Sequence, residues 1–178
     1  MRGADGMLYI SGEALENSSA KLFVAKLTST GQPVAGFGDA GTLAVDPTDN
    51  AYTTYAHVAV DGAGNVFLAS VTYYPPGLVD RAQGADAVEG GAAHSVVAQL
   101  DASGQLVSAF GNGGVKVITL ASGEASASAI TVGGNHVYLA GRVLFPAPVN
   151  GNYDDELVLG LLLEQPDSIF ANGFEVPH

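Results

Sequence analysis

The chain has no cysteine, and its 178 residues include only six lysines and arginines against eighteen aspartates and glutamates. Without cysteine there are no disulfides, no thiolate chemistry and no Cys-ligated zinc. A net charge of −12 repels phosphate backbones and anionic lipid surfaces, which speaks against nucleic acid or a membrane surface as partner. The excess acid has two readings, a device for solubility or an attraction for cations. No apolar run reaches the ~18 residues that a spanning helix needs, so no membrane insertion is expected. The opening residues, Met1-Arg2-Gly3-Ala4-Asp5-Gly6, do not have the form of a signal peptide, because no apolar stretch follows the basic residue. Long segments of helical periodicity are also missing. What remains is a chain 47% hydrophobic and 13% charged with 24 glycines. That composition suits a well-buried chain with many tight turns.

The main signal is an internal repeat, which decides architecture before any local reading does. Residues 23–45, FVAKLTSTGQPVAGFGDAGTLAV, align without a gap with residues 96–118, VVAQLDASGQLVSAFGNGGVKVI. Val24-Ala25 matches Val97-Ala98, Leu27 matches Leu100, Gly31-Gln32 matches Gly104-Gln105, Phe37-Gly38 matches Phe110-Gly111, and Gly41 matches Gly114. Upstream, a short apolar and aromatic run recurs three times, around Met7–Gly12, Val66–Ser70 and Val137–Gly141. Each run follows a turn rich in Asp, Asn or Gly, the chemistry of a hairpin, and Gly6-Met7 is aligned with Asn65-Val66. Two of these turns are preceded by small-residue strands, at residues 56–60 and 129–132. The unit therefore reads strand, tight turn, strand, variable loop, strand, tight turn, strand. Four short antiparallel strands in roughly 40–50 residues, plus insertions, describe a β-propeller blade. The alanines of the first strand suit the crowded axis of such a fold. Strands are expected near 7–12, 21–28, 56–60, 65–71, 94–100, 115–120, 129–132, 136–143 and 157–163.

The spaced elements "VA-x-L", "xxG" and "FG-x-x-G" resemble the bacterial delta-60 repeat, a β-propeller repeat. The segments that carry the likeness are Val24-Ala25-Lys26-Leu27 to Gly41 and Val97-Ala98-Gln99-Leu100 to Gly114, and the resemblance covers most of residues 5–145. Gln99 stands where the family usually has a basic residue, and Ala35 and Ser108 where it often has Asp. The third copy lacks a Phe-Gly-x-x-Gly altogether. The resemblance implies an all-β, partial propeller of about three four-stranded antiparallel blades, in an exported protein of the secreted or cell-envelope kind, and carries no catalytic residues. The expected organisation is a first repeat over 1–55 without its inner strand, a second over 56–128 with an insertion at 72–94, a degenerate third over 129–166, and a tail over 167–178. Three blades leave raw sheet edges, so either upstream blades or edge-to-edge self-association is expected. The tail, with Asp167, Ile169-Phe170 and Gly173-Phe174-Glu175, is similar to the D-x-IF-x-x-GFE ending of exported Gram-negative proteins. Its apolar residues are expected to pack on the last blade.

Candidate chemistry concentrates in the variable loops, because long loops on a rigid scaffold are where binding sits. Tyr73, Tyr74, Asp80, Asp86 and Glu89 in the second repeat, with Tyr153 and Asp154 in the third, form the candidate ligand-binding set. The tyrosines suit stacking on a sugar ring or packing on a peptide; the plainer reading is a pair of tolerated insertions packed on themselves. Ca²⁺, which takes six to eight oxygens, has Asp154-Asp155-Glu156, the stretch from Asp46 to Asn50, and the turn from Asp61 to Asn65 as candidates, none with the spacing of an EF-hand. His57, His94 and His136 occupy different repeat positions and show no zinc spacing. Gly-x-Ser-x-Gly is absent, and His94-Ser95 on a strand would point to opposite faces. The reading is a non-enzymatic module for recognition or scaffolding, with a glycan or protein ligand on the loop face. The alternative is a carbohydrate-active hydrolase or lyase whose paired acids lie among Asp80, Asp86 and Glu89.

Overall fold

Ten strands, no helix and three antiparallel sheets make up the described part of the computed structural model, which covers residues 1–16, 19–47, 52–73, 93–118, 124–144 and 155–162. The strands are β1 (Leu8–Glu16), β2 (Ser19–Leu27), β3 (Thr42–Val45), β4 (Tyr52–Val60), β5 (Val66–Tyr73), β6 (Ala93–Leu100), β7 (Val115–Ile118), β8 (Glu124–Gly133), β9 (His136–Leu144) and β10 (Asp155–Leu162). They pair in chain order, as β1-β2-β3, β4-β5-β6-β7 and β8-β9-β10. The all-β expectation is therefore met. Only the middle sheet has four strands; the first and third show three among the described residues.

The repeat seen in the sequence returns as a repeat of geometry. Lys26 N–H donates to Gly41 O at 2.9 Å, and Gln99 N–H donates to Gly114 O at 2.9 Å. Val34 N–H reaches Lys26 O as Val107 N–H reaches Gln99 O, and Gly41 N–H reaches Phe37 O as Gly114 N–H reaches Phe110 O. Gly38 and Gly111 share φ values of 54° and 55°, and Gly41 and Gly114 share 98° and 99°. Strand register corrects one detail of the alignment. Leu8 pairs with Leu27 and Val66 pairs with Leu100, so Leu8, not Met7, is the counterpart of Val66. Tyr9 is then the counterpart of Phe67. This agrees with their contacts, since Tyr9 meets Phe37 edge to face at 6.4 Å and Phe67 meets Phe110 edge to face at 6.5 Å.

The sheets stack face to face. Tyr9, Leu22, Val24 and Phe37 of the first meet Val66, Leu68, Val96 and Ala98 of the second in one core. Phe67, Ala69, Val97 and Phe110 from the other side of the second meet Ala127, Val137 and Leu139 of the third in another core. Alternate residues of β5 thus serve opposite cores, as a two-residue period requires. This is why β5 opens on an apolar run, Val66 to Ala69, and is buried from Val66 to Thr72. Strands β4 and β8, the first of their sheets, do most of the packing on the preceding sheet. Each carries one extra residue at the same place: the register shifts between Thr54 and His57 against β5, and between Ala127 and Ala129 against β9. Such a bulge sharpens strand twist. Beside β1, the position of β4 is held by Met1 and Arg2: Arg2 bridges Leu8, and Tyr9 N–H donates to Met1 O at 2.8 Å.

Candidate functional site

Strands β1, β5 and β9 stack with the same ends together, because Tyr9 shares a core with Val66 and Leu68, and Phe67 shares one with Val137 and Leu139. Their far ends, where the chain crosses from the second to the third strand of each unit, therefore emerge on one side of the stack. The three connections follow Glu16, Tyr73 and Leu144. Of the seven candidate binding residues, Tyr73 ends β5 opposite Ala93 and is 43% exposed. Its ring is available at the mouth of the long insertion. Tyr74, Asp80, Asp86, Glu89, Tyr153 and Asp154 lie outside the described residues, as does the 167–178 tail.

Sequence reasoning missed a buried polar belt below that mouth. Thr53, Thr72 and His94 lie side by side across β4, β5 and β6 in the strand register. All three are buried, as are Ser70 and Ser95. Thr53 Oγ1 donates to Ala20 O at 2.8 Å and Ser11 Oγ donates to Ala56 O at 2.6 Å, so hydroxyls stitch the first sheet to the second. Thr72 Oγ1 has no hydrogen-bond partner among the described residues. His94 and Ser95 point to opposite faces as expected, but both faces of this sheet are covered, so both are inside. The usable signal was present: in β5 and β6 threonine and histidine stand at this end of otherwise largely apolar strands.

The Asp61 turn can be judged against its calcium reading. Asp61 Oδ1 accepts the Ala63 and Asn65 N–H groups at 2.9 and 2.8 Å, and Oδ2 accepts Asn65 Nδ2 at 2.7 Å. Both carboxylate oxygens are engaged in holding their own turn. Asp101 does the same in the next turn, accepting from Ser103 N–H, Ser103 Oγ and Gln105 N–H; the Ser103 hydroxyl first, then the Gln105 amide, holds its carboxyl below the usual range. Among the described residues no three carboxylate or imidazole side chains gather as a metal-ligating group.

One charged cluster is built into the first sheet. Lys26 Nζ lies 3.2 Å from Asp5 Oδ2 and sits over the rings of Tyr9 and Phe37, at 5.2 and 5.8 Å from their centroids. Tyr9 donates its hydroxyl to Asp5 Oδ2 at 2.9 Å. Burial works to raise the Asp5 carboxyl, but the Met7 N–H, the Tyr9 hydroxyl and Lys26 outweigh it and hold it below its ordinary value. Burial likewise opposes the Lys26 charge, and its bonds to Tyr9 and Asp5 prevail to raise it. In the second repeat the counterparts are Gln99 and Phe67, and the charge is gone. The cluster is thus a local anchor for the first turn. Compared with known proteins, the chain matches no family model, no curated protein and no solved structure.

Proposed function

We propose that the chain is a non-enzymatic segment of a β-propeller in an exported protein, related to the delta-60 repeat, which presents its second-to-third-strand loops to a glycan or protein ligand. The observation that carries the reading is the stack itself. Three sheets follow one another in chain order, face to face, with two longer connections leaving on the same side. Propellers are built from such sheets, each packed on the one before. Tyr73, at the foot of the longest connection, supplies an exposed aromatic ring of the kind that stacks on sugars. The buried belt of Thr53, Thr72 and His94 lies at the same strand ends. A panel of immobilised glycans, probed with and without Ca²⁺, tests the reading. A variant lacking residues 75–90 is expected to keep its β-rich circular dichroism spectrum and its melting temperature while losing whatever the full chain captures. Unfolding of that variant would make the insertion structural. Glycan turnover abolished by Asp86→Asn or Glu89→Gln would transfer the function to the hydrolase or lyase alternative.

A further inference from the structure

The two outermost faces of the stack are the two halves of the joint found twice inside it. In strand register, Leu8, Ile10, Phe23, Ala25 and Leu27 of the first sheet are the counterparts of Val66, Leu68, Val96, Ala98 and Leu100 of the second. The second set is fully buried under the first sheet. The first set is equally apolar, lies on the side of its sheet away from the core that holds Tyr9, Leu22 and Val24, and leaves Ile10 52% exposed. At the other end, Val137 and Leu139 face the second sheet, so the alternation turns Tyr138 outward. Tyr138 occupies the position of Tyr9 and Phe67, both fully buried where a following sheet covers them, but is itself 39% exposed. One end therefore shows the face that receives a preceding sheet, and the other shows the face that receives a following one.

We infer that a second copy of this chain covers both faces, head to tail, with the Tyr138 face of each copy on the Ile10 face of the other. Such a contact is heterologous, and heterologous contacts either close into a ring or run on as a filament. Closure at two copies rests on the propeller reading above. Propellers have typically 4–8 blades; the three described sheets taken from two copies fall within that range, and from three copies exceed it. Beside β1, an isolated bridge from Arg2 to Leu8 stands at the place that β4 fills in the second sheet, so among the described residues this face offers less packing than the internal joints. Association that strengthens with concentration is expected, not an obligate dimer.

Sedimentation and light scattering of the full chain over a wide concentration range are expected to show a monomer–dimer equilibrium with the dimer at twice 18.0 kDa. Ile10→Glu and Tyr138→Glu place a charge on one face each, at exposed positions. With an unchanged melting temperature, each alone is expected to weaken dimerisation about tenfold or more. An equimolar mixture of the two variants retains one intact joint and is expected to recover part of the association. A monomer at every concentration overturns the inference and leaves the propeller reading standing. Open-ended polymers overturn ring closure and the propeller reading with it. Dimers lost with Ile10→Glu but kept with Tyr138→Glu mean that like faces meet, which also overturns it.

Discussion

Gly38 and Gly111 show what a single position demands in this repeat. Their φ values near +55° lie in the left-handed region, and a Cβ at either would run into a carbonyl oxygen, that of Thr42 or of Val115. Ala40 and Gly113 are also counterparts at positive φ, 50° and 63°, but open space surrounds Gly113. Left-handed backbone costs a non-glycine residue about 1–2 kcal/mol. Gly113→Ala should cost no more than that, since alanine already serves at residue 40, whereas Gly38→Ala adds a backbone collision and should cost distinctly more. Urea melts of the two variants test the ranking, and equal losses would refute it. The Asp5–Lys26 pair makes a prediction in pH. Asp5 is held low in the fold, so its contribution is present above the unfolded carboxylate value, near pH 4, and is lost as pH falls through the lower folded value. Asp5→Asn should lower the melting temperature at neutral pH, and the gap to the unaltered chain should close in acid. A gap that persists undiminished in acid would show that the charge contributes nothing. None of this cluster was legible in the sequence, because an ion pair between residues 5 and 26 depends on strand register, which composition does not report.

At the scale of the element, periodicity was the readable quantity. The run around Val66 was recognisable because a sheet covered on both faces requires a largely apolar strand; the runs around Leu8 and Val137 carry the same apolar pattern with one face open. The short β3 was not expected on its own, although it aligns with β7, which was expected at 115–120. Strand β8 begins at Glu124, well before the expected residue 129, because the Ala- and Ser-rich start has little intrinsic strand preference. Its packing on β4, β5 and β6 decides the matter instead. The bulges in β4 and β8 were hidden for the same reason: one extra residue changes neither composition nor hydropathy. For the candidate site, only Tyr73 could be followed from sequence into structure. Loop residues lack the alternation that ties a strand residue to a face, so sequence named the side chains without relating them in space. The polar belt offers its own check. Thr72 is fully buried in β5, and exchanging an unbonded hydroxyl for a methyl of the same shape is neutral to stabilising. Thr72→Val should keep or raise the melting temperature. A fall of several degrees would mean that the hydroxyl bonds to the insertion between β5 and β6.

For the whole molecule, the arrangement is a short row in which each sheet leans on its neighbours. Gly38 N–H donates across the first joint to Ser103 O at 2.8 Å, and a Cβ on Gly104 would strike both Gly38 N and the Phe37 ring. Among the described residues the main inter-sheet packing runs between adjacent sheets, so stability is close to a sum of sheet terms and joint terms. Among the described residues the middle sheet takes part in two joints and each of the others in one. Its backbone amides should therefore be the last to surrender their protons to heavy water. In native-state exchange at dilute protein, amides of β5 and β6, such as those of Leu68 and Val97, should open only with global unfolding. Those of β1 and β9 should open earlier, through partial detachment of an end sheet. Raising the protein concentration should slow β1 and β9 selectively if copies cap one another, and should leave β5 unchanged. Uniform exchange across the three sheets would instead describe one indivisible cooperative unit. A doubly covered sheet thus acts as a clock with two speeds: the ends keep the time of local breathing, and the middle keeps the lifetime of the fold.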